Sequence, residues 1–288
     1  MSLFQVYTAL VTPFDSSGNI DFLTFESLVK KQISDALDGI VIFGTTGECC
    51  TLDSLEKLAL LEKAVSLAKG KITIMANTGT NNTKESVELT KEAKDLQADQ
   101  ILAIVPYYNR PGPQGIISHF HAIADVGLPT VFYHHPGRCG VKLTIDTILE
   151  IAKHPMIVGV KECSYDLELI KQIKEKTKLK VYSGNDDTLS KDKQFGLDGV
   201  ISVAAQAFPK PFQQASNYAL EQLKPFIEAI FSESNPQGIK AALELMGFPS
   251  MHLRLPMTKV QLETKLKIKM AIEKYQHPLA GKLDLSAL

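Results

Sequence analysis

Eight short apolar runs, each followed by a longer amphipathic stretch, dominate this 288-residue chain and set what it can fold into. They fall at residues 6–11, 39–43, 72–76, 100–105, 130–133, 157–160, 180–183 and 199–203. Several are unbroken Val/Ile/Leu segments, the pattern of parallel strands buried on both faces. The stretches between them have helical spacing. Residues 22–36 carry Phe22, Phe25, Leu28, Val29, Gln32 and Ile33 along one side, and residues 54–68 carry Leu55, Leu58, Leu61, Val65 and Ala68. Residues 83–96, 144–152 and 166–176 follow the same logic, with Thr144 placed to cap its helix. Eightfold strand–helix alternation predicts a (β/α)8 TIM barrel, an α/β fold, with an open doubly wound sheet as the alternative on pattern alone.

Strand signals stop near Leu223. Residues 226–231, 236–246 and 259–275 read as helices, broken near Pro225, Pro249 and Pro256. The expected division is a catalytic barrel over 1–224 and a small C-terminal helical domain over 225–288. An apolar share of 44% suffices for a core of this size. A net charge of -1 gives no basic face for nucleic acid. No apolar run approaches the roughly 18 residues of a membrane span, and the first residues lack a basic-then-apolar leader. Cys49 and Cys50 are adjacent, Cys139 and Cys163 stand alone, and no CxxC pair occurs. That usage points to a reducing compartment, so a cytoplasmic protein is expected.

Polar residues collect after the apolar runs. Gly44-Thr45-Thr46-Gly47-Glu48 follows the second, Asn77-Thr78-Gly79 the third and Pro106-Tyr107-Tyr108-Asn109-Arg110-Pro111 the fourth. Tyr133 closes the fifth, Lys161 the sixth and Ser183-Gly184-Asn185 the seventh. In a barrel these ends meet at one face, where catalytic groups sit. Lys161 ends an apolar run, and burial favours its neutral amine, the form that attacks a carbonyl to make an imine. A lone strand-end lysine more often snorkels to solvent; Tyr133 and Thr45-Thr46 reverse that preference. Tyr133, Tyr108 and Thr45 supply hydroxyls for proton transfer, although a buried tyrosine is commonly only a core aromatic. Thr46 and the amides around Gly47 could hold a carboxylate, and Arg138 a second one in bidentate fashion; the bland alternatives are a tight turn and a solvated arginine. His134-His135 point to opposite sides of a strand and lack a carboxylate partner motif, so no metal is expected, and phosphate-binding glycine fingerprints are absent, so no nucleotide is either.

These motifs, in this order and spacing over nearly the whole chain, resemble the dihydrodipicolinate synthase / N-acetylneuraminate lyase family of Schiff-base barrels. The Thr-Thr pair and Arg138 look like its synthase branch. The resemblance implies condensation of pyruvate with L-aspartate-4-semialdehyde to 4-hydroxy-tetrahydrodipicolinate, in the diaminopimelate route to lysine. It implies Lys161 as the imine-forming residue, Tyr133 as acid/base and Thr45 linking it to Tyr108, which reaches a neighbouring subunit's site. Thr46 and Gly47 hold the pyruvate carboxylate, Arg138 the semialdehyde carboxylate, and Val200, Ile201 and Ser202 line the floor. No cofactor is needed, and a homotetramer built from tight dimers is usual. A lysine-binding interface pocket of some relatives maps onto Cys49, Ser54, Lys57, Asn81, Glu85 and Tyr107. Lys57 adds a positive charge there, so weak or absent feedback by L-lysine is expected. His134-His135, Cys49-Cys50 and Cys139 depart from the family's usual residues, the first pair where the second substrate is held. A pyruvate-dependent aldolase of a sugar acid, of N-acetylneuraminate or 2-keto-3-deoxygluconate type, is the main rival. A non-catalytic 2-oxo-acid-binding barrel is the other.

Overall fold

The structure, a computed structural model, describes residues 4–276. Eight parallel strands close into a barrel in chain order, the last pairing with the first. They are β1 (Gln5–Ala9), β2 (Gly39–Ile42), β3 (Thr73–Asn77), β4 (Gln100–Ile104), β5 (Thr130–His134), β6 (Ile157–Glu162), β7 (Lys180–Ser183) and β8 (Gly199–Ser202). Each coincides with an expected run to within two residues, and closure excludes the open sheet. Around them lie α1 (Phe22–Ser34), α2 (Ser54–Ala68), α3 (Thr83–Asp95), α4 (Pro113–Ala124), the short α5 (Pro136–Cys139), α6 (Ile145–Ile151), α7 (Leu167–Lys176), the short α8 (Leu189–Asp192) and α9 (Pro209–Gln214). Side-chain caps start most of the long ones. Asp21 accepts from Leu23 and Thr24, Asp53 and Glu56 form a reciprocal capping box, and Asn82, Thr144 and Asp166 cap α3, α6 and α7. Each cap contributes about 1 kcal/mol.

The lower barrel is filled by Tyr7 and Tyr182, both 1% exposed, with ring centroids 5.5 Å apart and edge-to-face. Glycines make the room. A Cβ on Gly39 would lie 2.5 Å from the Tyr7 ring, and one on Gly199 would lie 3.0 Å from that of Tyr182. With the bottom plugged, the opposite end, where the strands finish, is free for chemistry. Among the described residues no helix is long and apolar enough to cross a membrane.

Three further helices follow: α10 (Asn217–Ile230), α11 (Gln237–Leu245) and α12 (Leu262–Gln276). The break expected at Pro225 does not occur; Pro225 lies inside α10. Proline there costs about 3 kcal/mol, and the buried stripe Leu220, Leu223, Phe226, Ile227 and Ile230 outweighs it. Phe208 helps hold this layer together, 4.8 Å from Phe226 and 4.7 Å from Tyr275. The expected division between residues 224 and 225 falls within α10, and residues 277–288 lie outside the described part.

A buried ion pair ties these helices to the loop after β2. Lys240 Nζ on α11 is 2.5 Å from Glu48 Oε1, with both side chains at most 2% exposed. The same ammonium donates to His252 O at 2.8 Å and lies 4.5 Å from the Phe14 ring centroid. Burial lowers its pKa to about 8, against the opposing pull of Glu48. Arg254 adds its backbone N–H to Glu48 Oε2 and its guanidinium to Glu56. Lys240→Met leaves the Glu48 carboxylate buried without its counter-ion. It should cost about 3–5 kcal/mol, read as a lowered midpoint in denaturant titration.

Candidate active site

Backbone geometry shapes the first wall of the site. Phe43 and Glu48, with φ of 38° and 56°, are left-handed residues bracketing the Gly44–Gly47 turn. Such conformations persist only where surroundings hold them, and they gather at functional sites. Gly47 packs so closely that a Cβ would lie 2.8 Å from Phe43 Cα, and its carbonyl accepts from Thr12 Oγ1 at 2.8 Å. Thr46 is buried, and its hydroxyl accepts from Asn235 Nδ2 at 2.8 Å. That acceptor role leaves the Thr46 proton free for a carboxylate.

The lysine and tyrosine expected to react stand on neighbouring strands. Tyr133 on β5 and Lys161 on β6 are register partners. Lys161 is 7% exposed, and its Nζ lies 4.4 Å from the Tyr133 ring centroid. Gly184 provides its seat: a Cβ there would lie 2.6 Å from Lys161 Cε and 2.1 Å from Cys163 Sγ. Burial lowers the Lys161 pKa, opposed by Cys163 and Asp186 and reinforced by Arg138. Burial pushes the Tyr133 phenol well above its ordinary range and nearby Cys163 adds to this, while Arg138 and Thr45 work the other way. Burial raises the neighbouring Cys163 thiol to about 12. Asp186 is fully enclosed. Its Oδ2 accepts from Val203 N (3.0 Å) and Ala204 N (2.8 Å), Oδ1 has no partner, and burial raises its pKa to about 6.

A cavity of about 340 Å³ opens at this end of the barrel, a size suited to a small ligand. Tyr133, Thr45 and Arg138 line it, as do Cys49, Cys50, Tyr107 and Asn235. Arg138 is exposed on α5, whose left-handed cap Gly140 packs on Arg110. Tyr108 is not gathered into this site. It has a φ of 71° and is 89% exposed, so within one chain its hydroxyl has no part in the Tyr133–Thr45 pair. Val200, Ile201 and Ser202 are fully buried in β8 and do not line the cavity. Of the six residues matched to the lysine pocket, Cys49 and Tyr107 do line it. Asn81 donates to Tyr107 O at 3.2 Å, while Ser54, Lys57 and Glu85 lie outside the lining.

His134 points away from the cavity. Its Nε2 accepts from Leu143 N at 3.0 Å, so Nδ1 carries the proton and donates to Glu162 Oε2 at 2.8 Å. The imidazole is therefore neutral, and the pair braces the outer side of β5 and β6. His135 stacks edge-on to Tyr133 at 5.9 Å, and burial lowers its pKa to about 4.

Asn235, Cys163 and Asp186 escaped the sequence reading. Cys163 has a signal in hindsight, two residues beyond Lys161 on the same side of the chain. Asp186 adjoins Ser183-Gly184-Asn185, which already marked a strand end. Asn235 has none, since it reaches the loop after β2 from 189 residues away.

Comparison with known proteins places these features in company. A model described as the Dihydrodipicolinate synthetase family matches residues 2–275. A 4-hydroxy-tetrahydrodipicolinate synthase from Methanospirillum hungatei is 39% identical over 286 residues, covering 94% of this chain and 98% of the relative. The solved 4-hydroxy-tetrahydrodipicolinate synthase of Methylacidiphilum fumariolicum superposes with a TM-score of 0.92 at 34% identity, covering 96% of this chain and 97% of that one. A DHDPS from Cyanidioschyzon merolae, solved with lysine bound, superposes at 0.89 with 34% identity, covering 95% and 98%.

Proposed function

This chain belongs to the dihydrodipicolinate synthetase family, and on that premise we propose that it is a class I aldolase-like lyase condensing pyruvate with L-aspartate-4-semialdehyde to 4-hydroxy-tetrahydrodipicolinate. The observation that carries the reading is the Lys161 amine, buried in a seat that Gly184 leaves open and lying over the Tyr133 ring. Relatives named as synthases favour this reaction over cleavage of a sugar acid or mere binding of a 2-oxo acid.

Lys161 attacks C2 of pyruvate, and the carbinolamine loses water to give an imine. Thr46 and the amide of Gly47 hold the pyruvate carboxylate. Tyr133, paired with Thr45, moves the protons that convert hydroxide to water and imine to enamine. The enamine carbon adds to the aldehyde of the second substrate, whose carboxylate Arg138 clamps. The amine of that substrate then attacks C2 and frees Lys161, closing the ring.

Arg138→Ala removes a charge-assisted clamp. It should lower kcat/KM for the semialdehyde roughly 10- to 150-fold while pyruvate still forms an imine. Turnover of pyruvate with the semialdehyde, set against N-acetylmannosamine and glyceraldehyde, tests the assignment. A sugar aldehyde used as well as the semialdehyde would overturn it.

The exposed Tyr108 supports a second copy of the chain that receives its phenol beside Tyr133 and Thr45. The assembly is a homotetramer made of two tight dimers, and sedimentation should give four chains. Four free cysteines fit the cytoplasm. Val200, Ile201 and Ser202 back the floor. The pocket of Cys49, Ser54, Lys57, Asn81, Glu85 and Tyr107 binds L-lysine weakly, because Lys57 exerts its charge at Cys49. An inhibition constant in the micromolar range would contradict this.

A further inference from the structure

Two thiols at the mouth of the cavity have no part in the chemistry above. Cys49 and Cys50 open a 3-10 turn (Cys49–Thr51), in which successive side chains diverge by about 120° rather than the roughly 180° of an extended strand. Their Sγ atoms are 3.9 Å apart, and both residues line the cavity with Arg138 and Tyr107. Cys50 is exposed and Cys49 half-buried, whereas Cys139 and Cys163 are 1% and 3% exposed. We propose that Cys49 and Cys50 form an oxidation site for small hydroperoxides, converted to an intramolecular disulfide that distorts the adjoining Thr45-Thr46 loop and halts turnover.

The electrostatics distinguish this pair from the other two cysteines. The contact between the two sulfurs and the nearby cations of Lys57 and Arg138 lower the Cys50 pKa to about 6. Burial holds Cys139 at about 11 and Cys163 at about 12. At neutral pH Cys50 is the thiolate, and thiolate is the form that reacts. Its sulfur attacks one peroxide oxygen, the O–O bond breaks, and the leaving hydroxide takes a proton to become water. Cys49 sulfur then attacks the sulfenic sulfur, the S–O bond breaks, and a second water departs. Two thiols are oxidised and one peroxide reduced.

Closing the sulfurs from 3.9 Å to about 2.05 Å must move the backbone of adjacent residues. That backbone is bonded to the catalytic loop: Cys49 N donates to Gly44 O, and Thr51 N to Glu48 O. Glu48 is pinned by Lys240, so the movement is passed towards Thr45 and Thr46. Only this effect on turnover rests on the proposed function; the oxidation itself does not.

The test treats the reduced full-length enzyme with stoichiometric hydrogen peroxide, alkylates free thiols after unfolding, and reads peptides by mass spectrometry. The peptide holding both cysteines should lose two hydrogens and escape alkylation, while Cys139 and Cys163 remain alkylatable. Turnover should fall at least tenfold and return with dithiothreitol. C49S and C50S should each keep their own untreated rate at the same dose. Oxidation of Cys50 no faster than of Cys139 or Cys163, a sulfinate or interchain bridge as end product, or full activity in the bridged enzyme overturns the proposal. An untreated enzyme that never consumes pyruvate overturns the functional reading instead, and the peptide masses still decide the dithiol.

Discussion

Lys161→Ala should abolish turnover, with kcat lowered at least about 10⁴-fold, because deletion of a covalent nucleophile removes the pathway rather than weakening it. The fold should survive, since alanine in β6 leaves the strand's backbone pairing intact. Lys161→Arg is the sharper control. It keeps a cation at the position but cannot supply a neutral amine near pH 7, so it should be as inactive as alanine. The pH dependence has a definite sign. Burial lowers the Lys161 pKa, so the fraction of free amine rises with pH and reaches its midpoint below the usual lysine range. Imine formation should therefore accelerate from acid towards neutral pH and level off earlier than a solvated lysine would allow. Single-turnover mixing with pyruvate measures this.

Tyr133→Phe comes second in expected effect, at about 10²- to 10⁴-fold in kcat, the range typical of a lost general acid/base. The ring stays, and with it the contact 4.4 Å from Lys161 Nζ, so pyruvate affinity should change little. Loss therefore belongs in kcat and in the shape of its pH profile rather than in KM. Thr45→Val should act in the same direction but less, because it removes a polar neighbour that eases ionisation of the phenol and leaves the phenol itself. A Tyr133→Phe variant with wild-type kcat would move the proton transfers elsewhere; Cys163, close to both Tyr133 and Lys161, is the next group to test.

The barrel could be read from the sequence because its signals are local. Eight buried runs and their helices announce themselves through apolar spacing, and Asp21, Thr144 and Asp166 cap helices within a few residues of themselves. The juxtaposition of Lys161 and Tyr133 is legible for a related reason, since each is a polar group at the end of an apolar run. What failed was non-local. Pro225 promised a break, and packing across α10 overrode it. Asn235, Lys240 and Arg254 reach the loop after β2 from the C-terminal helices, and nothing in their own neighbourhoods announces this. The family resemblance set the His134-His135 pair where the second substrate is expected to be held, but the His134 side chain turns outward onto Glu162. Tyr108 shows a further limit: read as a third hydroxyl of the site, it is 89% exposed and does not line the cavity.

Borohydride reduction in the presence of pyruvate, followed by peptide mass spectrometry, tests the buried amine most directly. A reduced pyruvyl group should appear on Lys161 and on no other lysine, and the enzyme should lose activity in step with its incorporation. Protein that stays unlabelled and active, or label that settles on Lys240 or a surface lysine, would contradict the account.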